Sequence, residues 1–344
     1  MESRRGTAVR RAASGLYRTG ATAALARAAG HLSLGRPRHL AGGRPPAFAI
    51  LTYHRVNDEQ DPFLPALPTA VFEAQIGYVA RAYCVLTVEE LVERARRGEL
   101  PRNAVAVTFD DGYRDNLTHA APILARHRVP ATIFLATGFI GSGEVPWFDR
   151  VALALKGARA AAWTGPAGER ILLDRPEARV AAVPRVTEAL KRLPEDERRR
   201  MVARLLEELG PGEDGARKNR MLDWDDVRAL QGLGFTVGAH TVSHPILSRV
   251  PLAQAREEIA GSRAMIEAAT GRAPGAFAYP NGGADDYTAA VVDLVRQAGF
   301  TCAVTTRFGL NTGATPPLEL RRGGPWERHL PTFALKLAWY RLSL

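Results

Sequence analysis

Two adjacent carboxylates close an apolar run, Val105-Ala106-Val107-Thr108-Phe109-Asp110-Asp111-Gly112-Tyr113. Such a run reads as a buried strand. At the C-terminal mouth of a parallel strand, side chains project into the crevice where ligands bind, and Gly112 lets the backbone turn away. Like charges this close repel unless a cation or a shared proton relieves them. A second cluster, Gly238-Ala239-His240-Thr241-Val242-Ser243-His244-Pro245, also follows an apolar run, and its two imidazoles stand four residues apart. One helical turn at that spacing would present both to one divalent ion. One Asp with both His leaves an open position on a zinc-like ion, the pattern of a catalytic centre, and the second Asp is left to take a proton from an attacking water. A turn-capping Asp pair and packed structural histidines are the plain alternatives for each motif alone, and the two motifs together favour the metal centre.

For residues 110 and 240 to meet, the intervening chain must fold into units that return each strand end to the same rim. Extended runs at 47–53, 84–86, 104–109, 131–137, 236–239, 276–279, 301–305 and 318–320 alternate with helical patterns at 70–82, 88–97, 114–127, 224–233, 252–270 and 287–298. That rhythm predicts an α/β fold of βα units on a parallel sheet, and seven or eight strands in one chain point to a distorted (β/α) barrel. Residues 142–221 break the rhythm with Ala- and Arg-rich helical runs and no clear strand, and are expected to form a helical insertion that caps or lids the substrate side. The breaker cluster Gly42-Gly43-Arg44-Pro45-Pro46 sets off a basic leader, 1–44, from a barrel over 45–325, and residues 326–344 carry a helical apolar pattern expected to pack on the barrel.

Composition narrows the function classes. A chain of 344 residues with 46% hydrophobic and 24% charged residues is an ordinary globular sequence. Its net charge of +10 is almost all arginine, since lysine occurs only at Lys156, Lys191, Lys218 and Lys336. The basic residues are scattered among acidic ones, so nucleic acid is excluded as a partner. The N-terminal stretch is interrupted by Arg18 and Arg27, which makes it a poor signal peptide, and no run reaches the roughly 18–20 apolar residues of a membrane span. A basic leader of this kind is either mobile or in peripheral contact with a membrane surface, which leaves the location open between cytoplasmic and membrane- or envelope-associated. Cys84 and Cys302, the two cysteines, are both expected as buried small hydrophobes.

Thr108-Phe109-Asp110-Asp111-Gly112 and His240-Thr241-Val242-Ser243-His244-Pro245 resemble the first two motifs of the polysaccharide deacetylase family, carbohydrate esterase family 4, with similarity over about residues 50–322. The resemblance implies a distorted barrel, one divalent metal ion such as zinc, and an acetylated amino-sugar glycan as substrate. It also implies Asp110 as catalytic base and Asp111, His240 and His244 as metal ligands. The third motif, Arg-Pro-Pro-Tyr-Gly in many members, is Ala278-Tyr279-Pro280-Asn281-Gly282 here, so the arginine that holds the base must come from elsewhere. Arg321 or Arg322 after the last strand-like run could supply it, with Arg321 taken as the candidate. The family's late leucine-histidine motif is absent. Leu51-Thr52-Tyr53-His54-Arg55-Val56 resembles the start of the biofilm-polysaccharide branch, which makes His54 the candidate general acid. Tyr279, Asn281, Tyr113 and the aromatic Trp147 are candidate substrate contacts. Hydrolysis of an O-acetyl ester or a non-sugar amide, and a catalytically silent glycan-binding homologue, are the alternatives.

Overall fold

In the computed structural model the described residues are 46–212, 220–324 and 327–342, together with Ser14. The expectations for the leader, 1–44, Ser14 apart, therefore lie outside the described residues. Among the described residues ten strands run β1 (Ala47–Tyr53), β2 (Cys84–Val85), β3 (Ala104–Phe109), β4 (Ala131–Leu135), β5 (Ala162–Thr164), β6 (Arg170–Leu172), β7 (Phe235–Ala239), β8 (Ala276–Ala278), β9 (Cys302–Val304) and β10 (Asn311–Thr312). Between and after them lie α1 (Thr69–Ala82), α2 (Val88–Arg97), α3 (Ala121–His127), α4 (Trp147–Gly157), α5 (Pro176–Lys191), α6 (Glu195–Leu209), α7 (Trp224–Gly232), α8 (Leu252–Thr270), α9 (Ala289–Gln297) and α10 (Leu330–Leu342).

The sheet curls into a distorted barrel. β1, β3, β4, β7, β8 and β9 are parallel neighbours in that order. The ring is completed by the chain near residue 320, which was expected to be a strand and instead makes isolated bridges. Thr305 N–H donates to Leu320 O at 2.8 Å and Leu320 N–H to Ala303 O at 2.9 Å, while Gly323 N–H donates to Ile50 O at 2.9 Å. This segment thus joins the last strand to the first, and β10 runs antiparallel along the lower end of the same β1 edge.

Side-chain alternation along the strands separates two cores. Phe48, Ile50, Ala104, Ala106, Phe134, Ala276, Ala278, Val304 and Leu320 fill the inner face. Leu51, Tyr53, Val107, Phe109, Ile133 and Leu135 face outward against Phe72, Ile76, Leu124, Val227, Ile259 and Val291 of the helical layer. The inner face is rich in alanine because a barrel of so few strands leaves little room. Gly238 is the extreme case: a Cβ there would lie 2.4 Å from the Phe134 ring.

The stretch 142–221 carries its own core, built from Val151, Leu155, Val186, Leu190 and Leu205. It is not wholly helical, since β5 and β6 pair as an antiparallel hairpin with Trp163 and Ile171 turned into that core. Short strands of three residues escape a periodicity reading. Cys302 is buried as expected, but Cys84 is exposed, because the two-residue β2 reaches only the start of β3. α10 lays Phe333, Ala334 and Leu337 onto the main core. No helix among the described residues is long and apolar enough to cross a membrane.

Replacing Gly238 by Ala is expected to cost ~1–3 kcal/mol of unfolding free energy through overpacking against Phe134. Denaturant titration checks it, and pairing the change with Phe134→Leu should recover part of the loss; equal losses in the single and double variants would rule out the clash.

Candidate active site

Successive side chains of an extended strand point to opposite faces, so Asp110 and Asp111 should diverge. Asp111 escapes this by adopting φ +75°, and Gly112 follows at φ +89°. The turn returns the Asp111 carboxylate to the barrel mouth, and Gly112 has no room for a side chain, since a Cβ would meet Ile140 at 2.8 Å. The same device recurs in the second motif, where Thr241 and His244 have φ +66° and +56°. The two imidazoles thus come together through a left-handed loop rather than the helical turn their spacing suggested.

Asp111, His240 and His244 converge, with Asp111 Oδ1 3.5 Å from His240 Nε2 and 3.4 Å from His244 Nε2. All three residues are buried, and their donor atoms lie within 4.8 Å of one another. His240 Nδ1 bonds to Ala278 O at 2.7 Å, and because a carbonyl can only accept, this fixes the tautomer that leaves Nε2 bare towards the cluster. Burial pushes His240 down to about 4 and His244 well below its ordinary value, so both rings are neutral as ligands must be. Asp111 Oδ1 is buried and accepts no hydrogen bond among the described residues. Burial, then the carboxylates of Asp110 and Asp149, push Asp111 well above the usual carboxylate range. One carboxylate oxygen and two imidazole nitrogens, neutral and lacking protein donors, fit a divalent cation of zinc type.

Asp110 sits beside this cluster in a different environment. Arg322 grips it bidentately, Nη1 to Oδ1 at 2.8 Å and Nη2 to Oδ2 at 2.7 Å, and Arg322 Nε donates to Thr305 O at 2.9 Å. Burial disfavours the Asp110 charge, but the guanidinium outweighs burial and holds the carboxyl far below its usual range. The choice of Arg321 is corrected here. Leu320 faces the barrel interior, so in an extended segment 322 shares its face and 321 does not. Arg321 is exposed and its backbone pairs with the Asn311 side chain instead.

His54 lies at the mouth, 40% exposed, with Nε2 3.9 Å from Asp110 Oδ2. Burial of the ring outweighs the pull of Asp110 and lowers its pKa. Asn116, in a π-helical turn at Asn116–Ala120, donates to His54 O at 2.8 Å and so sets the residue's position.

The expected substrate contacts divide. Asn281, at φ +57°, lines a cavity of about 400 Å³ that also contains Asp110, Asp111, His240 and His244. Tyr279 borders it but is fully buried, stacked on Tyr287 at 4.4 Å with its hydroxyl donated to Leu318 O. Tyr113 lies in a neighbouring cavity, beneath the Arg55 guanidinium and hydrogen-bonded to Asp149. Trp147 is corrected as a sugar platform: it packs in the core of the insertion with Arg198 4.3 Å above its ring. One position around the helix, Phe148 takes the place at the site, its ring 5.2 Å from His244. Phe308, 66% exposed on the cavity rim, was not foreseen.

Glu258 on α8 was also missed. It is buried, and accepts from Val242 N and Ser243 N at 2.8 Å each and from the Ser243 hydroxyl. From the other side, Thr137 N–H and Gly138 N–H donate to Thr241 O at 3.0 Å and Val242 O at 2.9 Å. The histidine loop is therefore clamped on both edges. Only a carboxylate 15 residues downstream marks the position, in a run of charges that reads as a solvated helix face.

The polysaccharide deacetylase family model matches residues 97–303, and the chain belongs to that family. Among relatives, the poly-beta-1,6-N-acetyl-D-glucosamine N-deacetylase of Staphylococcus epidermidis is 35% identical over 72 residues, 21% of this chain and 25% of the relative. The enzyme of the same name from Staphylococcus aureus strain MSSA476 is 34% identical over 81 residues, 23% of this chain. The matched stretch thus spans about a quarter of those relatives' length, 25% and 28%. In fold, the chain is similar to IcaB from Ammonifex degensii, with TM-score 0.56 and 20% identity, covering 86% of this chain and 98% of that one. The Streptococcus pyogenes deacetylase PplD, solved with acetate, gives TM-score 0.55 and 19% identity over 82% of this chain and 93% of its own.

Two outcomes follow. Arg322→Met strands the Asp110 charge and should cost ~3–5 kcal/mol at neutral pH, with Asp110→Asn in the same chain recovering part of it. Asp110's folded value lies below its ordinary 3.8, so the pair's contribution is complete above that value and is lost as pH falls towards the folded one. A stability-versus-pH curve unchanged by Arg322→Met would remove the pair from the account. Separately, Glu258→Ala should weaken zinc binding about 10–100-fold in chelator competition while the far-UV spectrum is kept; undiminished affinity would show that the clamp is dispensable.

Proposed function

We propose that the chain hydrolyses N-acetyl groups of an amino-sugar polysaccharide or oligosaccharide, releasing acetate and a free amine with a divalent cation as cofactor. The observation that carries this reading is the meeting of the donor cluster Asp111, His240 and His244 with a separately held carboxylate, Asp110, in one cavity. Asp111, His240 and His244 would hold the cation, which when bound supplies Lewis-acid polarisation of the acetamide carbonyl and acidifies water.

The chain's own groups then divide the proton work. Asp110, kept ionised by Arg322, accepts the proton of the attacking water as the water oxygen bonds to the carbonyl carbon. A carboxylate held so low is a weak base, so its role depends on orientation and on being ionised at every working pH. His54 is within 3.9 Å of Asp110 and gives a proton to the nitrogen as the carbon–nitrogen bond breaks. The ring is near enough to Asp110 to take on the proton that the carboxylate collects and pass it to the nitrogen. Asn281 is placed to contact the substrate's oxygens, its Nδ2 being buried with no partner among the described residues. A base carboxylate left without its arginine would suggest a silent homologue, and the Arg322 contact with Asp110 speaks for the catalytic reading instead.

Acetate release by zinc-loaded protein from a panel of N-acetylglucosamine oligomers and acetylated xylan tests the reading. The oligomers should be turned over and the xylan spared. Asp110→Asn should lower kcat by ~10²–10⁴ with zinc content unchanged, and His54→Ala should lower kcat likewise. Acetate from xylan alone would replace the amidase by an esterase, and acetate from neither substrate would end the enzymatic reading.

A further inference from the structure

The reaction centre opens on two sides, and the sides differ in chemistry. The cavity of about 400 Å³ that holds it has Thr187, Lys191, Asn281 and Thr306 around its rim, groups suited to sugar hydroxyls. A second cavity of about 770 Å³ adjoins it, and Thr52, His54, Asp111, Phe148 and Thr187 line both. That second volume is of the size that takes a drug-sized ligand. One wall is the loop after β1, with Pro62, Phe63 and Leu67, and the opposite wall is the insertion, with Ala152, Val180 and Val183. Its floor holds Arg55, Tyr113 and Asp149, where Arg55 Nε and Asp149 Oδ2 are buried without a hydrogen-bond partner among the described residues, and the exposed Glu188 and Arg328 also line the cavity. Arg55 Nε lies 3.6 Å from Asp115 Oδ2, and Tyr113 is hydrogen-bonded to Asp149. The two facing walls are hydrocarbon, so a pyranose held between them would leave hydroxyls there without partners, a cost that an alkyl or aryl group does not carry.

We infer that this second cavity binds an apolar aglycone attached to the N-acetylated sugar, so that the substrate class is an amino-sugar glycan bearing a hydrophobic tail. The inference rests on the deacetylase reading above. Sidedness selects the aglycone over a long N-acyl chain: His54 faces the departing nitrogen, and the nitrogen belongs to the sugar half of the scissile bond. The chain beyond His54, through Arg55 to Leu67, forms the near wall, so the cavity extends from the sugar side of the reaction centre. The insertion, which lies outside the alternation of barrel units, then has a defined task. Through Phe148 it closes on His244, and through Val180 and Val183 it supplies the far wall.

The test uses zinc-loaded full-length protein and N-acetylglucosamine tetramers carrying a methyl or an octyl aglycone at the reducing end, below micellar concentration. The octyl substrate should show kcat/KM about tenfold or more above the methyl one, mainly through KM. Val183→Asp, which sets a charge on the wall, should draw that ratio towards one. Octyl β-glucoside, which has no acetamide, should inhibit acetate release competitively, whereas methyl β-glucoside should not. Equal kcat/KM for the two tetramers would overturn the inference and leave the deacetylase reading standing. An octyl preference that survives Val183→Asp would overturn the assignment to this cavity. A gain from an N-octanoyl group, with none from the octyl aglycone, would overturn the sidedness. Acetate from neither tetramer would remove the deacetylase reading and this inference together.

Discussion

The buried pairing of Arg322 with Asp110 ties the segment that closes the barrel to the end of β3. Asp110 ends β3, early in the barrel, and Arg322 lies on the segment that bridges β9 back to β1. The ring is closed there by a few backbone hydrogen bonds rather than by a full ladder. A bidentate charge pair inside the barrel thus sits where the sheet is weakest. Alone, either charge would be strongly disfavoured at that depth. The closure and the ionised carboxylate therefore depend on each other: opening the segment strands Asp110, and neutralising Asp110 leaves a guanidinium buried without an anion.

The environments of the adjacent aspartates are set apart by the same feature. Asp110 has a cation built into the protein, which lowers it below the usual range. Asp111 has no such partner, and burial together with its neighbours raises it. Two carboxylates one residue apart thus acquire opposite electrostatic characters, one satisfied by a protein cation and one left without one. The division needs Asp111 to turn out of strand geometry, so the left-handed backbone at that residue is what lets one strand end serve both purposes.

Much of this was legible in the sequence, and the misses have physical causes. The strand ends carrying Asp110–Asp111 and His240–His244 were visible because apolar runs and punctuating glycine mark them. The choice between Arg321 and Arg322 turned on parity in an extended segment, and Leu320 as an inward residue would have decided it. Trp147 is a candidate platform in the sequence because sugar faces stack on aromatic rings, and the sequence does not say which of Trp147 and Phe148 faces the site. In space the former starts the stripe Trp147, Val151, Leu155 that builds the insertion's core, so the next residue around the helix faces the site. Glu258 had no signal of its own, since a carboxylate bonded to a loop from the neighbouring helix has the same sequence signature as one bonded to water. The hairpin β5–β6 was too short for alternation to register.

Backbone conformations that L-residues avoid cost of order 1–3 kcal/mol each and persist only where the surroundings over-determine them. Asp111, Thr241, His244 and Asn281 all have positive φ, and all lie on the loops that surround the same cavity. Each has an identifiable restraint. Leu222 N–H donates to Gly112 O at 2.9 Å just after Asp111, the Glu258 carboxylate and the Thr137–Gly138 edge hold residues 241–243, and the Thr306 hydroxyl donates to Asn281 O. Apart from the Thr306 hydroxyl on the cavity rim, none of these restraints comes from a group proposed to act on substrate. Supporting residues that never touch the reacting atoms therefore carry the cost of aiming those that do, and this is why the conformations can be kept in a site whose donors are not fully satisfied by the protein itself.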